Sequence, residues 1–259
     1  MKSIGQNIYF ASDFHLGVPN YEDSLKREKK VIKWLNSIKD QAKTIFLVGD
    51  VWDFWFEYKT AVPKGSVRLL GKLAELTDSG IEIHFFTGNH DMWTFGYLEK
   101  ELNIKVHRNP VEFEFYGKKY LVGHGDGLGP GDLKYKMLKK LFASKFCQWL
   151  LSRVHPNLAL GVGNYFSGRS RLANHTSDKV FLEEEEWLYQ YCLKKVEALK
   201  VDYFIFGHRH LPLKMNIKNQ SIYFNLGEWI NYYSYLEIIP DQEPQLKFFE
   251  STYNKPINL

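Results

Sequence analysis

Five short clusters along the chain concentrate the residues able to hold a metal ion or move a proton. They are Asp13-Phe14-His15, Gly49-Asp50-Val51-Trp52-Asp53, Gly88-Asn89-His90-Asp91, His124-Gly125-Asp126 and Gly207-His208-Arg209-His210. Carboxylate, imidazole and one amide, with no thiolate, make a donor set for hard-to-borderline divalent ions, with Mn foremost and Fe or Zn also accepted. Asp13, His15, Asp50, Asn89, His124, His208 and His210 are the candidate metal ligands. They outnumber what one ion with an open position can use, and suit two ions sharing a bridging carboxylate. Two cations ~3.5–4 Å apart can clamp a phosphate and stabilise both the attacking and the leaving oxygen. Asn89 would supply a neutral oxygen where an anionic phosphate must bind. His90, beside it, points elsewhere and is assigned to the substrate as general acid or electrostatic clamp, with Asp53 as the carboxylate that orients it.

Each cluster also has a plainer reading. A lone Asp-x-His is usually a turn or a surface pair, with about one chance in ten of being a metal site. Gly-Asn-His-Asp alone could be a turn tolerant of left-handed backbone, and Gly-His-Arg-His a basic surface loop. His84, His107, His155 and His175 are read as structural or exposed. Five clusters in order, each directly after an apolar run, do not fit five independent turns.

Those runs are the elements that must position the chemistry. "IYFAS" (8–12), "TIFLV" (44–48), "IEIHFF" (81–86), "KKYLVG" (118–123), "DYFIF" (202–206), "SIYFNL" (221–226) and "SYLEII" (234–239) are strand-sized and mostly uninterrupted, as expected of strands covered on both faces. The tail adds one more strand and then frays. Between the first three runs lie amphipathic segments over 24–41 and 66–80, the second ending on Gly80 as a helix C-terminal glycine. Strand–helix–strand–helix order predicts an α/β layered fold, with the polar clusters at the carboxyl ends of the strands, where open sheets bind ligands. From about 131 to 199 strand signal disappears, and two long helical segments, 133–155 and 178–200, read as a helical insertion. The acidic run 183–186 reads as a helix start.

The remaining composition bounds the partners. The chain has 259 residues, 44% hydrophobic and 25% charged, with net charge +4. That allows one domain carrying an insertion and demands no nucleic-acid partner. Cys147 and Cys192 lack CxxC partners, so a reducing compartment fits and a disulfide framework does not. The start reads as no signal peptide, and no apolar run approaches the ~20 residues of a membrane span. Any membrane contact is therefore peripheral.

Taken together, D-x-H, G-D-x-x-D, G-N-H-D, G-H-x-D and G-H-x-H over residues 13–210 resemble the signature of the calcineurin-like metallophosphoesterases. The resemblance implies a four-layer α-β-β-α sandwich with a dimetal site at the strand ends. One ion would take Asp13, His15, Asp50 and His210, and the other Asp50, Asn89, His124 and His208, with Asp50 bridging. It also pairs His90 with Asp53. Within the superfamily the chain resembles the UDP-2,3-diacylglucosamine hydrolases of lipid A biosynthesis, which place a helical lid between the last two motifs. That resemblance implies water attack on a pyrophosphate, releasing UMP and the acylated sugar 1-phosphate. It also implies substrate contacts from Asp132, Tyr135, Ser170 and Asn174, besides Asn89, His90 and His208. The better-known members of that family carry arginine where His90 stands and glutamate where Asp53 stands.

The segment 133–155 holds Lys134, Lys136, Lys139, Lys140, Lys145 and Arg153, no acidic residue, and Leu133, Met137, Leu138, Leu141, Phe142, Phe146, Trp149 and Leu150 on one helical side. A basic amphipathic helix reads as a membrane-surface element or a groove for an anionic lipid. The expectation is a cytoplasmic protein, peripheral on the cytoplasmic face of the inner membrane, acting on a lipid-linked nucleotide sugar. The plain alternative is that the apolar side packs on the core. "LALGVGNYFSG" (158–168) could give the lid mobility or let backbone approach a chain. Two other functions remain open. A soluble phosphodiesterase or nuclease could use Trp52, Phe54, Trp55, Phe56 and Trp93 for stacking, and a non-catalytic scaffold could share the fold.

Overall fold

The computed structural model describes residues 5–130, 133–174 and 180–258. Two six-stranded sheets pack face to face. In the first, β1 (Asn7–Ala11), β2 (Ala42–Val48), β3 (Glu82–Phe86) and β4 (Lys105–His107) run parallel and are linked by α1 (Tyr21–Ile38), α2 (Val67–Asp78) and α3 (Tyr97–Leu102). β10 (Ser234–Ile238) and β11 (Gln245–Phe248) extend the β1 edge antiparallel. In the second, β6 (Lys118–Gly123), β7 (Tyr203–Phe206) and β9 (Ile222–Leu226) run parallel. β5 (Val111–Phe115) and β8 (Pro212–Asn216) flank them antiparallel, and β12 (Ile257–Asn258) pairs with β8.

Alternation along each strand builds the layers. In β2, Ile45 and Leu47 face Val31, Trp34 and Leu35 of α1 and Leu69 and Leu73 of α2, whereas Phe46 and Val48 face the second sheet through Val122, Ile205 and Phe224. Both faces are apolar, so the strand reads as an unbroken run. On the far side, α7 (Trp187–Leu199) buries Leu188, Cys192 and Val196 against Phe204, Phe206 and Tyr223. The order is helix, sheet, sheet, helix, as the motifs imply.

Local signals explain the helix starts. Asn20 accepts a hydrogen bond from the Asp23 N–H at 2.9 Å, with Glu22 and Asp23 in the first turn of α1. α2 has no cap of its own at Ser66. Buried Glu28 of α1 replaces it, accepting from the N–H groups of Arg68 and Leu69, both at 3.0 Å. Gly80, at φ +92°, stands in the left-handed backbone that closes α2.

The helical region differs from the sequence reading in three ways. Its last helix, α7, is a layer of the sandwich and not part of a cover, because its apolar face is buried on the second sheet. The stretch 133–155 divides into α4 (Leu133–Phe142) and α5 (Lys145–Leu151), where the Ser144 hydroxyl accepts from the Cys147 N–H. The glycine-bearing stretch 158–168 lies within a continuous helix, α6 (Pro156–Asn174). The acidic run forms a single tight turn, and Glu186 is wholly buried with its carboxylate 2.7 Å from the Arg209 Nε.

Candidate metal centre

All five clusters sit in the loops that leave the carboxyl ends of β1, β2, β3, β6 and β7, at one rim of the two sheets. Their backbones are unusual. Asp13 (φ 57°), His15 (φ 45°), Asp50 (φ 50°), His208 (φ 68°) and His210 (φ 57°) all occupy the left-handed region, which costs a non-glycine residue about 1 kcal/mol or more. Cross-loop hydrogen bonds hold them there. Asp13 N–H donates to the Gly49 carbonyl and His15 N–H to the Asp50 carbonyl, both at 3.0 Å, while His208 N–H donates to Asp13 Oδ2 at 3.0 Å. Two glycines allow the close approach: a Cβ on Gly88 would lie 2.1 Å from Asp50 Oδ1, and one on Gly207 2.7 Å from Asp13 Oδ2.

The candidate ligands converge. Asp13, His15 and His210 form one group, Asp50, His124 and His208 a second, and His15, Asp53 and His90 a third, with donor atoms in each group within 4.8 Å of one another. Asp13 Oδ1 lies 3.1 Å from His210 Nε2 and 3.7 Å from His15 Nε2. Asp50 Oδ2 stands between the first two groups, 3.2 Å from His124 Nε2 and 4.0 Å from His15 Nε2. His124 is oriented by its other nitrogen, 2.8 Å from the Val48 carbonyl. Asn89 belongs to the loop that the His90 N–H ties to Asp50 Oδ1 at 2.9 Å.

His90 and Asp53 also meet, but not carboxylate to ring. The His90 Nδ1 lies 2.8 Å from the Asp53 backbone carbonyl. The Asp53 carboxylate turns instead to His15, with Oδ1 3.3 Å from Nδ1, and to Ser167 of α6, with Oδ2 2.5 Å from its hydroxyl. A carbonyl can only accept, so His90 Nδ1 carries the proton and Nε2 is left as the ring's second nitrogen.

The electrostatics fit a cation site. Burial would raise the Asp13 carboxyl, yet the His15 and His210 imidazoles outweigh it and hold it well below the usual range. Asp50 is likewise pulled down against burial, chiefly by His124. Burial would lower His15 and His124, but carboxylate partners push both up to about 10, Asp13 and Asp53 acting on the first and Asp50 on the second. Burial and then the neighbouring His124 bring His208 down to about 4, so it keeps a free lone pair. Burial lowers His90 too.

The sequence profile of the calcineurin-like phosphoesterase family matches residues 6–212. The chain belongs to that family. A UDP-2,3-diacylglucosamine hydrolase of Porphyromonas gingivalis is 38% identical over 241 residues, 88% of this chain and 92% of that protein. One from Vibrio vulnificus is 25% identical over 240 residues, 90% of this chain and 93% of that protein. Among solved structures, a phosphoesterase from E. coli aligns over 94% of this chain and 100% of its own, with TM-score 0.44 and 14% identity.

Calcineurin-like phosphoesterases use divalent metal ions, and the residues present fit them. Asn89 Oδ1 is a buried side-chain atom with no hydrogen-bond partner, a costly state unless a cation completes it, and Asp13 Oδ1 and His124 Nε2 meet only fellow candidate ligands, His210 and His15 for the first and Asp50 for the second. Three supporting residues have no assigned role in the sequence analysis, although Asp91 and Asp126 stand in its clusters. Buried Asp91 accepts from the N–H groups of Gly88 and Val51, both at 2.8 Å, stitching the β2 and β3 loops together; burial and the charge of Asp50 push it up to about 7. Its place in Gly-Asn-His-Asp was the available signal. Asp126 receives the Tyr135 hydroxyl at 2.7 Å and the Lys139 ammonium at 2.6 Å, and Tyr135 stacks obliquely 6.5 Å from the His208 ring. Ser167 had no sequence signal. Of the substrate contacts implied by resemblance, Asp132 and the side chains of Ser170 and Asn174 lie outside the described residues.

The aromatic residues near the rim are not a stacking platform. Trp52, Trp55 and Phe56 are buried. Phe54 meets Trp93 edge to face at 5.6 Å, and Trp93 donates its Nε1–H to the Phe142 carbonyl of α4 at 2.9 Å.

Proposed function

We propose that this chain cleaves the pyrophosphate of UDP-2,3-diacylglucosamine, or a close lipid-linked nucleotide sugar, to UMP and 2,3-diacylglucosamine 1-phosphate. The observation that carries the reading is the pair of ligand groups joined through Asp50 on a chain 38% identical to a hydrolase of that name. Asp13, His15, Asp50 and His210 would hold one divalent ion, and Asp50, Asn89, His124 and His208 the other, Mn being our first choice and Fe or Zn the alternatives. When bound, the ions supply Lewis-acid charge and an activated nucleophile for phosphoryl chemistry.

The chain's own part is positioning and proton handling. Asp53 fixes the ring of His15 through Nδ1 and leaves Nε2 facing Asp13 and Asp50. His90 keeps one proton on Nδ1, so it acts on a phosphate oxygen only as the imidazolium with a second proton on Nε2, a form that the charge of a bound phosphate favours; in that form Nε2–H serves as clamp or as proton donor to the leaving sugar phosphate. The Tyr135–Asp126–Lys139 group would take the nucleotide-sugar end with Asp132, Ser170 and Asn174.

The helical cover supports a lipid substrate. Met137 is 72% exposed, Phe146 69% and Phe166 63%, so the apolar side of α4–α6 is not consumed by the core. Lys140 and Lys145 are exposed on α4 and α5, and Arg153 in the turn between α5 and α6. Apolar side chains beside cations suit acyl chains and an anionic membrane surface. We assign the protein a peripheral place on the cytoplasmic face of the inner membrane, with α4–α6 as the lid. No helix among the described residues is long and apolar enough to cross a membrane.

The test is hydrolysis of UDP-2,3-diacylglucosamine in detergent, with UMP and the sugar 1-phosphate quantified beside bis-p-nitrophenyl phosphate and single-stranded DNA. Preference for the lipid nucleotide supports the reading. Preference for either of the other substrates defeats it and favours a soluble phosphodiesterase or nuclease.

A further inference from the structure

Helix α6 turns a face of small residues toward the rim. Ala159 and Ser167 are buried, and between them a Cβ on Gly163 would come within 2.3 Å of the Phe54 ring. Spacings of four put the three on one side of the helix. The absence of a side chain at 163 therefore lets α6 sit directly on the loop that follows β2. Its seating delivers one hydroxyl into the rim. Ser167 Oγ lies 2.5 Å from Asp53 Oδ2, 2.9 Å from the Asp53 carbonyl and 2.8 Å from His90 Nδ1.

Of the two acceptors within reach of the Ser167 hydroxyl, the Asp53 carboxylate offers the shorter contact and the charged oxygen, and so takes its proton. His90 Nδ1–H is shared between the Asp53 carbonyl and Ser167 Oγ. The Ser167 O–H then donates to the Asp53 carboxylate, whose other oxygen faces His15 Nδ1 at 3.3 Å. A single group on the cover thus touches both the ring of His90 and the carboxylate that orients His15.

We propose that Ser167 is a positioning residue that couples the seating of α6 to the reaction rim. With α6 seated, Ser167 locks His90 with Nε2 presented and holds Asp53 against His15. With α6 lifted, both lose that support, so turnover is favoured when the cover is closed over the substrate. The proposal rests on the hydrolase reading given above.

The experiment compares Ser167→Ala, Ser167→Thr and Gly163→Ala with wild type for kcat, KM and bound metal, on UDP-2,3-diacylglucosamine and on bis-p-nitrophenyl phosphate. Loss of the hydroxyl should lower kcat about tenfold with KM within about twofold, the scale of one hydrogen bond to a charged group. Metal content should not change, and Ser167→Thr should recover most of the rate. Gly163→Ala should lower kcat in the same sense, and the double variant should lose less than the product of the single losses. Wild-type kcat in Ser167→Ala overturns the proposal. So does a loss in Ser167→Ala that appears in KM or in metal content, or a fully multiplicative double variant. If the wild-type protein ignores the lipid nucleotide but cleaves the phosphodiester, the substrate reading falls, and the same comparison on the phosphodiester still decides the role of Ser167.

Discussion

Asp91→Ala isolates the scaffold beneath the rim from the ligands themselves. Asp91 is fully buried and its carboxylate receives N–H groups of Gly88 and Val51 at 2.8 Å, with those of Asp50 at 3.3 Å and Trp52 at 3.5 Å. Alanine leaves these donors without an acceptor in a site closed to water. Counting only the two short bonds, at about 1–3 kcal/mol for each orphaned group, the loss is roughly 2–6 kcal/mol. That is a large part of the ~5–15 kcal/mol that holds a typical domain together. In a chain of this size it should lower the melting temperature by roughly 10 °C. Because the same N–H groups fix the backbone of Asp50 and of Gly88 beside Asn89, bound metal should fall as well. Calorimetry and elemental analysis on the same sample read both effects. Asp91→Asn, which keeps one acceptor oxygen, should lie between. If Asp91→Ala melts within about 2 °C of wild type and retains its metal, the rim is not built on this carboxylate and the reasoning fails.

Other expectations follow from single contacts. His90→Ala should slow turnover by about 10²–10⁴-fold with metal retained; metal loss on elemental analysis would instead make His90 a ligand. Gly88→Ala should abolish activity, since its Cβ would meet Asp50 Oδ1 at 2.1 Å, and a normally active variant would show that the loop can give way. His84 tests the middle of β3, away from the rim. Burial, reinforced by neighbouring His107, brings its imidazole from 6.5 down to about 4 against the pull of Glu82. A depressed folded-state value means the unfolded chain binds the proton first, so this contribution is complete above pH ~6.5 and is lost between ~6.5 and ~4. After allowing for solvent screening it is worth roughly 1–2 kcal/mol. Denaturant titrations of His84→Gln should therefore show a flatter fall in stability between those pH values, and an unchanged slope would place the acid sensitivity elsewhere.

The rim was legible because its residues follow strands directly, so strand ends and ligand types could be read together. Asp13, Asp50, Asn89, His124 and His208 each stand just past an apolar run. What stayed hidden depends on how elements seat against each other. Ser167 reaches Asp53 only because α6 lies on Phe54, and no spacing in the sequence encodes that meeting. The Asp53 carboxylate turns to His15 while its carbonyl takes His90, a choice made by the loop backbone. β8 begins on Pro212 and carries Lys214, so it lacks an apolar run although Leu213 and Met215 are buried. β5, "VEFEF", alternates because Val111, Phe113 and Phe115 pack on the core between the sheets while Glu112 and Glu114 face solvent, a pattern missed by searching for strands covered on both faces. α7 resembled the rest of the helical region in sequence, and only its contact with Phe204 and Tyr223 assigns it to the sandwich.

Anomalous scattering from crystals of the protein loaded with Mn tests the central claim most directly. Two peaks per chain are expected at the rim, one among Asp13, His15 and His210 and one among Asn89, His124 and His208, with Asp50 reaching both. A single peak, or metal bound away from these side chains, would contradict a paired-cation centre.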